Sequence, residues 1–325
     1  MRILITGGSG QIGGALLKPL AALGSVIALG RSDLDFAQPE RLSAELDRVA
    51  PDLIVNAAAY TAVDRAEDEK ELAFRVNAEA PGVVARWAAD HATPLIHFST
   101  DYVFDGTGAR PWREEDAPRP LSVYGASKLA GEDAIRSARG VHLVVRTSWV
   151  YAAKGKNFLR SILHLAREQK ELRIVADQFG APSSARLIAD AVAGIIGPSL
   201  ANLADRFSAV NGVVNLAASG ETSWHGFGLA IVEGLRARDV PLAVERIVPI
   251  TTRDYPTKAK RPANSRFDMT RLDEVLDVVT PRWDRALELE LALVAGEFTQ
   301  AYVRSSDLHL QRQVFNPSAT DTKSP

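Results

Sequence analysis

A tyrosine and a lysine four residues apart give the first indication of chemistry. Tyr124 and Lys128 stand in the stretch Tyr-Gly-Ala-Ser-Lys, and on a helix this spacing places both side chains on one face. A phenol with a pKa of about 10 is a poor proton donor at neutral pH unless a neighbour stabilises its phenolate. An ammonium about 4.5 Å away, at an effective dielectric of about 20, would do so by about 3.7 kcal/mol. The pair predicts acid–base chemistry on a carbonyl, although chance alone can supply this spacing.

A glycine-rich turn near the N-terminus predicts a cofactor for that chemistry. Gly7, Gly10 and Gly13 follow an apolar segment and open a predicted helix, which is the context of a dinucleotide fingerprint. Gly7 permits the tight turn, Gly10 lets a pyrophosphate approach the backbone, and Gly13 lets the helix pack closely on the strand. We therefore expect a bound dinucleotide rather than a glycine turn without a ligand.

The identity of the dinucleotide is predicted from the end of the second strand. NAD-binding folds carry an acidic side chain there, about 20 residues beyond the glycines. This chain has Gly30 followed by Arg31, and an arginine can hold a 2′-phosphate through charge-assisted hydrogen bonds. We expect NADPH, with NADH as the alternative if Arg31 simply faces solvent. Asp35 and Phe36 stand where such folds contact the adenine.

Polar residues directly after a predicted strand supply a third catalytic candidate. Ser99, Thr100 and Asp101 follow the apolar segment 94–98, at the carboxyl edge where doubly wound sheets place their ligands. The Thr100 hydroxyl is expected to hydrogen-bond the substrate oxygen and align it with the Tyr124 phenol. Alternatively, these residues only cap the next turn. The order of the three motifs, 7–13, 99–101 and 124–128, favours the catalytic interpretation.

The composition excludes several classes of function. The 325 residues are 46% hydrophobic, and 38 basic against 40 acidic residues give a net charge of −2 without a basic block, so no nucleic-acid partner is expected. The absence of cysteine excludes disulfides and thiolate metal sites, the six histidines lack metal-binding spacing, and no metal site is predicted. The first apolar segment is too short for a signal peptide or a membrane span, which predicts a cytoplasmic protein with no membrane partner.

Alternating apolar and helical segments predict the fold. Strands are expected at 3–6, 25–29, 53–57, 95–99 and 141–147, and helices at 11–23, 39–49, 73–90 and 122–137. This alternation indicates an α/β fold, a doubly wound parallel sheet of the Rossmann type, over 1–150. A smaller substrate domain is expected over 151–304, and it is discontinuous because a strand near 213–217 returns to the main sheet. The polar segment 305–325 is predicted to be a disordered tail.

Longer motifs resemble one family of sugar-nucleotide enzymes. The stretches at 55–64, 99–104, 123–132, 146–151, 177–182 and 261–265 are similar to the dTDP-4-dehydrorhamnose reductase family, within the extended short-chain dehydrogenase/reductase superfamily. The resemblance covers about residues 1 to 300. It implies NAD(P)H-dependent reduction of the 4-keto group of dTDP-4-dehydro-L-rhamnose to dTDP-L-rhamnose, the last step of dTDP-rhamnose biosynthesis, which serves cell-surface polysaccharides.

The same resemblance implies roles for individual residues. Tyr124 would be the proton donor, Lys128 its electrostatic helper and a ligand of the nicotinamide ribose, Thr100 and Asp101 sugar contacts, and Trp149 part of the substrate pocket. The residues implied around the cofactor are Gly10, Gln11, Ile12, Asp35, Phe36, Ala59, Tyr60 and Thr61. A cluster of four cations is expected to clamp the dTDP pyrophosphate or to lie solvated on the surface: Arg253, Lys258, Lys260 and Arg261.

Other functions and assemblies stay open at this point. Some relatives carry an acid that helps to hold Mg²⁺ at a dimer contact where this chain reads Gly14-Ala15-Leu16, so Mg²⁺ is doubtful and both a monomer and a homodimer are open. A dehydratase is disfavoured because it needs an extra acid and base beyond Thr100 and Tyr124. Another nucleotide-sugar epimerase or reductase is an alternative, as is a non-catalytic subunit resembling the beta subunit of methionine adenosyltransferase. The intact catalytic candidates favour an enzyme.

Overall fold

The computed structural model describes residues 1–197 and 202–314, with side chains through residue 298. Its strands are β1 Arg2–Thr6, β2 Ser25–Leu29, β3 Leu53–Asn56, β4 Leu95–Thr100, β5 His142–Thr147, β6 Val150–Tyr151, β7 Glu171–Val175, β8 Phe179–Gly180, β9 Ser183–Ser184, β10 Val213–Asn215, β11 Thr222–Ser223 and β12 Arg246–Ile250. Its helices are α1 Gln11–Ala21, α2 Leu42–Val49, α3 Val63–Ala66, α4 Lys70–Phe74, α5 Ala80–Asp90, α6 Val123–Ser137, α7 Phe158–Glu168, α8 Ala185–Ile196, α9 Leu203–Ala209, α10 Trp224–Arg236, α11 Thr270–Glu274 and α12 Trp283–Val314.

A parallel six-stranded sheet forms the centre of the molecule, in the order β10-β5-β4-β3-β1-β2. Every residue of β3 and β4 is buried, because helices cover both faces of the sheet. The predicted doubly wound α/β fold is therefore confirmed, and the five predicted strands of its first half lie within a residue of their expected ends. The sixth strand, β10, pairs with β5 in the register Val213 to Val144, so the later part of the chain does return to this sheet.

The helices depart from the prediction at two places. A π-helical turn, Arg75–Glu79, joins α4 to α5 where one continuous helix was expected. The second place is α12, which was not predicted; it runs from Trp283 to Val314 and so extends into the first part of the segment 305–325 for which a disordered tail was predicted. The rest of that predicted tail, 315–325, lies outside the described residues. None of the described helices is long and apolar enough to cross a membrane.

A buried ion pair fixes α6 against the sheet. Ser122 caps α6 by accepting a hydrogen bond from the Gly125 N–H at 3.1 Å. Further along α6, the Glu132 carboxylate pairs with Arg146 of β5 at 2.6 Å and accepts a hydrogen bond from Ser99 of β4. Because Glu132 is almost fully buried, losing its partner would leave an uncompensated charge, and this contact holds the helix in one register.

Candidate active site

The predicted catalytic residues meet at the carboxyl end of β4. Thr100 is the last residue of that strand, and its Oγ1 donates a hydrogen bond to Asp101 Oδ1 at 3.0 Å. Tyr124, in the first turn of α6, lies close enough to form a hydrogen bond with the Thr100 hydroxyl. The rings of Tyr124 and Tyr102 pack edge to face with centroids 5.5 Å apart. The fold therefore brings together side chains that are 24 positions apart in the sequence.

The Tyr124 phenol is protonated in this environment. Burial raises its pKa well above the ordinary value of 10, a hydrogen bond with Thr100 lowers it, and the nearby Asp101 and Tyr102 raise it again. A buried, neutral phenol can give a proton to an oxygen that acquires negative charge during a reaction. The geometry therefore suits Tyr124 to general-acid chemistry.

The Lys128 nitrogen contacts β4 rather than the Tyr124 phenol that it was predicted to stabilise. Its Nζ donates a hydrogen bond to the Phe98 carbonyl oxygen at 2.7 Å and lies 3.0 Å from His97 Nε2. Burial lowers its pKa to about 8, against the opposing effect of Glu132. The groups that set the Tyr124 pKa do not include Lys128. The predicted lowering of the Tyr124 pKa is therefore not seen, because the Lys128 nitrogen is engaged by β4.

Asp101 is a buried carboxylate held by hydroxyl groups. Only 3% of it is exposed, and it accepts hydrogen bonds from Ser265 and Thr100. Burial raises its pKa from 3.8 to about 6, although these hydrogen bonds and one from its own N–H oppose the shift. Ser265 had no predicted role, because nothing in the sequence indicates that it contacts a residue 164 positions earlier.

The glycine turn after β1 fits a pyrophosphate. Gly7 has a φ of +67°, and a Cβ there would lie 2.7 Å from Ala58 N. A Cβ at Gly13 would lie 2.1 Å from the Gly7 carbonyl oxygen, so only glycine allows α1 to pack this closely. The N-cap, Gly10, has no side chain to satisfy the N–H groups of the first turn, among them those of Gln11 and Ile12. These donors and the helix dipole favour an anion at this position.

The residues predicted around the adenosine end differ in their exposure. Arg31 is 78% exposed and forms a loose ion pair with Asp35, with Nε to Oδ1 at 3.6 Å. Phe36 is only 3% exposed and packs in the core, which leaves little of its ring open to a ligand. Asp33 was not among the predicted site residues, and its carboxylate accepts a hydrogen bond from the Gly30 N–H at 2.9 Å. An acid does lie near Gly30, therefore, although it comes from three residues further on.

The loop after β3 is held beside the catalytic helix by one amide side chain. Asn77 in the π-helical turn accepts a hydrogen bond from the Tyr60 N–H at 2.8 Å and donates to the Tyr60 carbonyl at 3.0 Å. Its Nδ2 also lies 3.0 Å from Ser127 Oγ on α6. The predicted cofactor residues Ala59 and Thr61 flank Tyr60, so Asn77 fixes this whole segment relative to α6. Asn77 was not among the predicted site residues.

A large cavity lies beside Tyr102, whose ring packs on that of Tyr124. Its volume is about 660 Å³, and its wall combines Tyr102 with residues of α7, β7, α10 and the loop 255–261. Arg261 lines it, donating to the Tyr102 hydroxyl at 3.1 Å and pairing with Asp64 at 2.7 Å. Of the four cations predicted to clamp a pyrophosphate, the other three are not part of this wall, and Lys258 instead pairs with Asp68.

Trp149 reaches this cavity through a second tryptophan. Its ring stacks on Trp224 with centroids 3.6 Å apart and an interplanar angle of 11°, and Trp224 and Phe158 line the cavity wall. Trp149 has a φ of +49°, which is rare for a bulky residue and marks a position held by its surroundings. Trp224 and Phe158 were not predicted as site residues, because each opens an amphipathic helix and has the pattern of an ordinary core residue.

The described residues contain no group of three or more histidine, aspartate or glutamate side chains placed to hold a metal ion.

Sequence comparisons identify the family. The sequence model described as the RmlD substrate binding domain matches residues 1–295. A dTDP-4-dehydrorhamnose reductase from Burkholderia thailandensis is 47% identical over 291 residues, which are 89% of this chain and 97% of that protein. One from Escherichia coli K12 is 44% identical over 287 residues, covering 87% of this chain and 94% of that protein.

Solved structures agree with the sequence relatives. A dTDP-4-dehydrorhamnose reductase from Clostridium acetobutylicum is similar with a TM-score of 0.81 at 31% identity, over 90% of this chain and 99% of that one. The enzyme of the same name from Bacillus anthracis, solved in complex with NADP, has a TM-score of 0.80 at 30% identity, over 90% and 98% of the two chains. The chain therefore belongs to the dTDP-4-dehydrorhamnose reductase family.

Proposed function

We propose that this protein reduces the 4-keto group of dTDP-4-dehydro-L-rhamnose with NADPH and so forms dTDP-L-rhamnose, in the last step of dTDP-rhamnose biosynthesis. One observation carries the proposal: a protonated, buried Tyr124 phenol lies beside Thr100 at the carboxyl end of β4, and its ring packs on Tyr102, which lines a cavity of about 660 Å³. Relatives at 44–47% identity bear the name of this reductase, and one solved relative binds NADP.

Tyr124 acts as the general acid. When bound, NADPH supplies the hydride that forms the new C4–H bond. As negative charge develops on the C4 oxygen, Tyr124 donates its hydroxyl proton to that oxygen and then regains a proton from solvent. Thr100 turns its hydroxyl proton from Asp101 to the same oxygen and keeps that oxygen within reach of the phenol. Before the substrate binds, Asp101 accepts the Thr100 hydroxyl proton, and Ser265 donates to the other oxygen of the same carboxylate.

The cofactor is held by the turn after β1 and the ends of β2 and β3. Gly7, Gly10 and Gly13 leave room for the pyrophosphate, and the N–H groups of the first turn of α1 bind it. Arg31 binds the 2′-phosphate, while Lys128 and the segment around Tyr60 hold the nicotinamide side. The remaining cofactor contacts are Gln11, Ile12, Asp35, Phe36, Ala59 and Thr61.

The nucleotide sugar lies between the sheet and the region 151–304, which we assign as the substrate domain. Arg261 is placed to bind a phosphate of dTDP, and the stacked pair Trp149 and Trp224 forms an aromatic wall. We infer further that the protein acts in the cytoplasm as a monomer or homodimer, on this small molecule and without nucleic-acid or membrane partners. Light scattering after size exclusion separates a 35.1 kDa monomer from a dimer.

The function is tested by product analysis. The purified protein is mixed with NADPH and dTDP-4-dehydro-L-rhamnose, and the expected result is one NADPH consumed for each dTDP-L-rhamnose formed, with the product identified by NMR. An epimerase would rearrange the sugar without net consumption of NADPH. That outcome, or no reaction at all, would refute the proposal.

A further inference from the structure

A line of buried polar side chains runs from the catalytic helix into the middle of the sheet. Lys128 of α6 contacts His97 of β4, His97 Nδ1 lies 2.9 Å from Asn56 Nδ2 of β3, and Asn56 Oδ1 accepts a hydrogen bond from Thr6 of β1 at 2.6 Å. All four side chains are buried, and the strands around them are otherwise mainly apolar. Buried polar groups of this kind are costly unless each donor meets an acceptor, so their proton positions can be worked out.

The orientation of the Asn56 amide is fixed by a backbone donor. Its Oδ1 receives the Ala58 N–H at 3.1 Å as well as the Thr6 hydroxyl. A backbone N–H cannot accept, so the atom that faces it must be the oxygen, and Nδ2 must face His97. An amide nitrogen only donates. The His97 Nδ1 atom is therefore a hydrogen-bond acceptor and carries no proton.

The proton of His97 must then lie on Nε2. Burial lowers the pKa of His97 well below its ordinary value, so the ring is neutral and has a single N–H. With Nδ1 accepting from Asn56, this N–H is on Nε2 and is directed at Lys128 Nζ, 3.0 Å away. An ammonium has three donors and no acceptor. The contact is a hydrogen bond only when Lys128 is an uncharged amine.

We propose that His97 is a positioning residue for the reduction, which holds Lys128 through its Nε2–H tautomer and favours the uncharged amine of Lys128 until a bound ligand or a lower pH protonates it. The role of Lys128 in reduction rests on the proposed function, whereas the tautomer rests on the hydrogen bonds alone. Protonation of Lys128 breaks the contact with His97 and frees the ammonium for the cofactor ribose. The Asn56–His97 pair therefore controls the charge of a cofactor ligand.

The charged groups around Lys128 are consistent with a His97 contact that sets the charge of Lys128. Glu132, on the same helix as Lys128, raises the Lys128 pKa, but Glu132 is itself neutralised by Arg146 of β5. Asp101 follows β4, and its charge acts on Tyr124. Burial outweighs Glu132 and brings the Lys128 pKa from 10.5 to about 8. Because the pKa of Tyr124 lies far higher, loss of activity between about pH 7 and 9 reports Lys128 and not the phenol.

The tautomer is measured by long-range ¹H–¹⁵N NMR of the histidine rings in the ligand-free protein, with His97→Leu used to assign the signals. The expected wild-type pattern for His97 is a protonated Nε2 and an unprotonated Nδ1. A ring with its proton on Nδ1, or on both nitrogens, overturns the proposal. The measurement needs no substrate, so an absence of reductase activity would refute the proposed function and leave this result standing.

Asn56→Asp provides the test of the link to Lys128. Its carboxylate still accepts from Thr6 and Ala58 and now also accepts from His97, which moves the ring proton to Nδ1 and turns Nε2 into an acceptor for the Lys128 ammonium. The high-pH limit of kcat/KM, meaning the pH at which kcat/KM falls to half its maximum on the alkaline side, is expected to rise by about one pH unit or more. The reason is that a hydrogen bond from the Lys128 ammonium to His97 favours the charged form of Lys128. An unchanged limit in a folded Asn56→Asp protein with a reversed tautomer would refute the proposal.

Thr6→Val is the matched control. It removes a buried hydroxyl from the same line but leaves the Ala58 N–H to orient Asn56. The His97 tautomer and the high-pH limit of kcat/KM are both expected to stay at their wild-type values. If Thr6→Val shifted the high-pH limit of kcat/KM as much as Asn56→Asp does, any change in this line of buried polar side chains would move that limit. That result would overturn the specific role of the His97 tautomer.

Discussion

Replacing Asp101 by asparagine is expected to stabilise the protein at neutral pH and not in acid. The carboxyl group is 3% exposed, has only hydroxyl and N–H partners, and has a pKa of about 6 against 3.8 when unperturbed. A difference of this size corresponds to about 3 kcal/mol between the charged and neutral forms. The pKa of Asp101 is higher in the folded than in the unfolded wild-type protein. The stability that its protonated carboxyl group contributes is therefore complete below about pH 3.8 and is lost as the pH rises through about 6. The neutral amide of the Asp101→Asn variant would carry no such penalty, and the Ser265 and Thr100 hydroxyls can reorient to it.

The magnitude is measured by urea unfolding of both proteins at several pH values. Between about pH 4.5 and 7.5, the free energy of unfolding of Asp101→Asn should gain about 2 kcal/mol relative to wild type, the part of the total that falls in this window. All other titrating groups are shared by the two proteins and cancel in the comparison. A difference between the two proteins that does not change with pH would show that the Asp101 pKa is not raised.

Three further predictions, one of them with a control substitution, address other parts of the molecule. Arg31→Ala should weaken NADPH binding by about 10-fold or more and leave NADH binding unchanged, as the loss of a charge-assisted contact predicts; fluorescence titrations in which both cofactors weaken equally would contradict it. Arg146→Met should lower the free energy of unfolding by about 3–5 kcal/mol because Glu132 is left buried and unpaired. Arg48→Met, at an exposed pair, is its control and should change it by less than about 1 kcal/mol. Trp224→Ala should raise the KM for the nucleotide sugar and not that for NADPH, and equal changes in both would refute its place in the substrate wall.

The sheet could be predicted because its signals are local. Each buried strand is a short apolar segment bounded by polar residues, and the glycine spacing at 7–13 defines the first turn without reference to any distant residue. Thr100 and Tyr124 could be paired because the carboxyl ends of parallel strands share one edge of the sheet. The motif positions therefore predict which side chains meet.

The partners of those side chains could not be predicted in the same way. Ser265 contacts Asp101 across 164 residues, and Asn77 contacts Ser127 across 50, with no periodicity that links them. The spacing from Tyr124 to Lys128 gives the helix face but not the direction of the lysine nitrogen, which depends on a histidine inside β4. The helix α12 was not predicted because its sequence has little apolar periodicity, although helix formers continue in it without a proline.

The central claim is that the Tyr124 phenol donates the proton in an NADPH-dependent reduction. It is tested most directly by comparing Tyr124→Phe with wild type in turnover of dTDP-4-dehydro-L-rhamnose, with NADPH affinity measured separately by fluorescence. The expected result is a loss of about 10²-fold or more in kcat at unchanged NADPH affinity, the lower end for removal of a general acid. Turnover close to that of wild type in Tyr124→Phe would contradict the account.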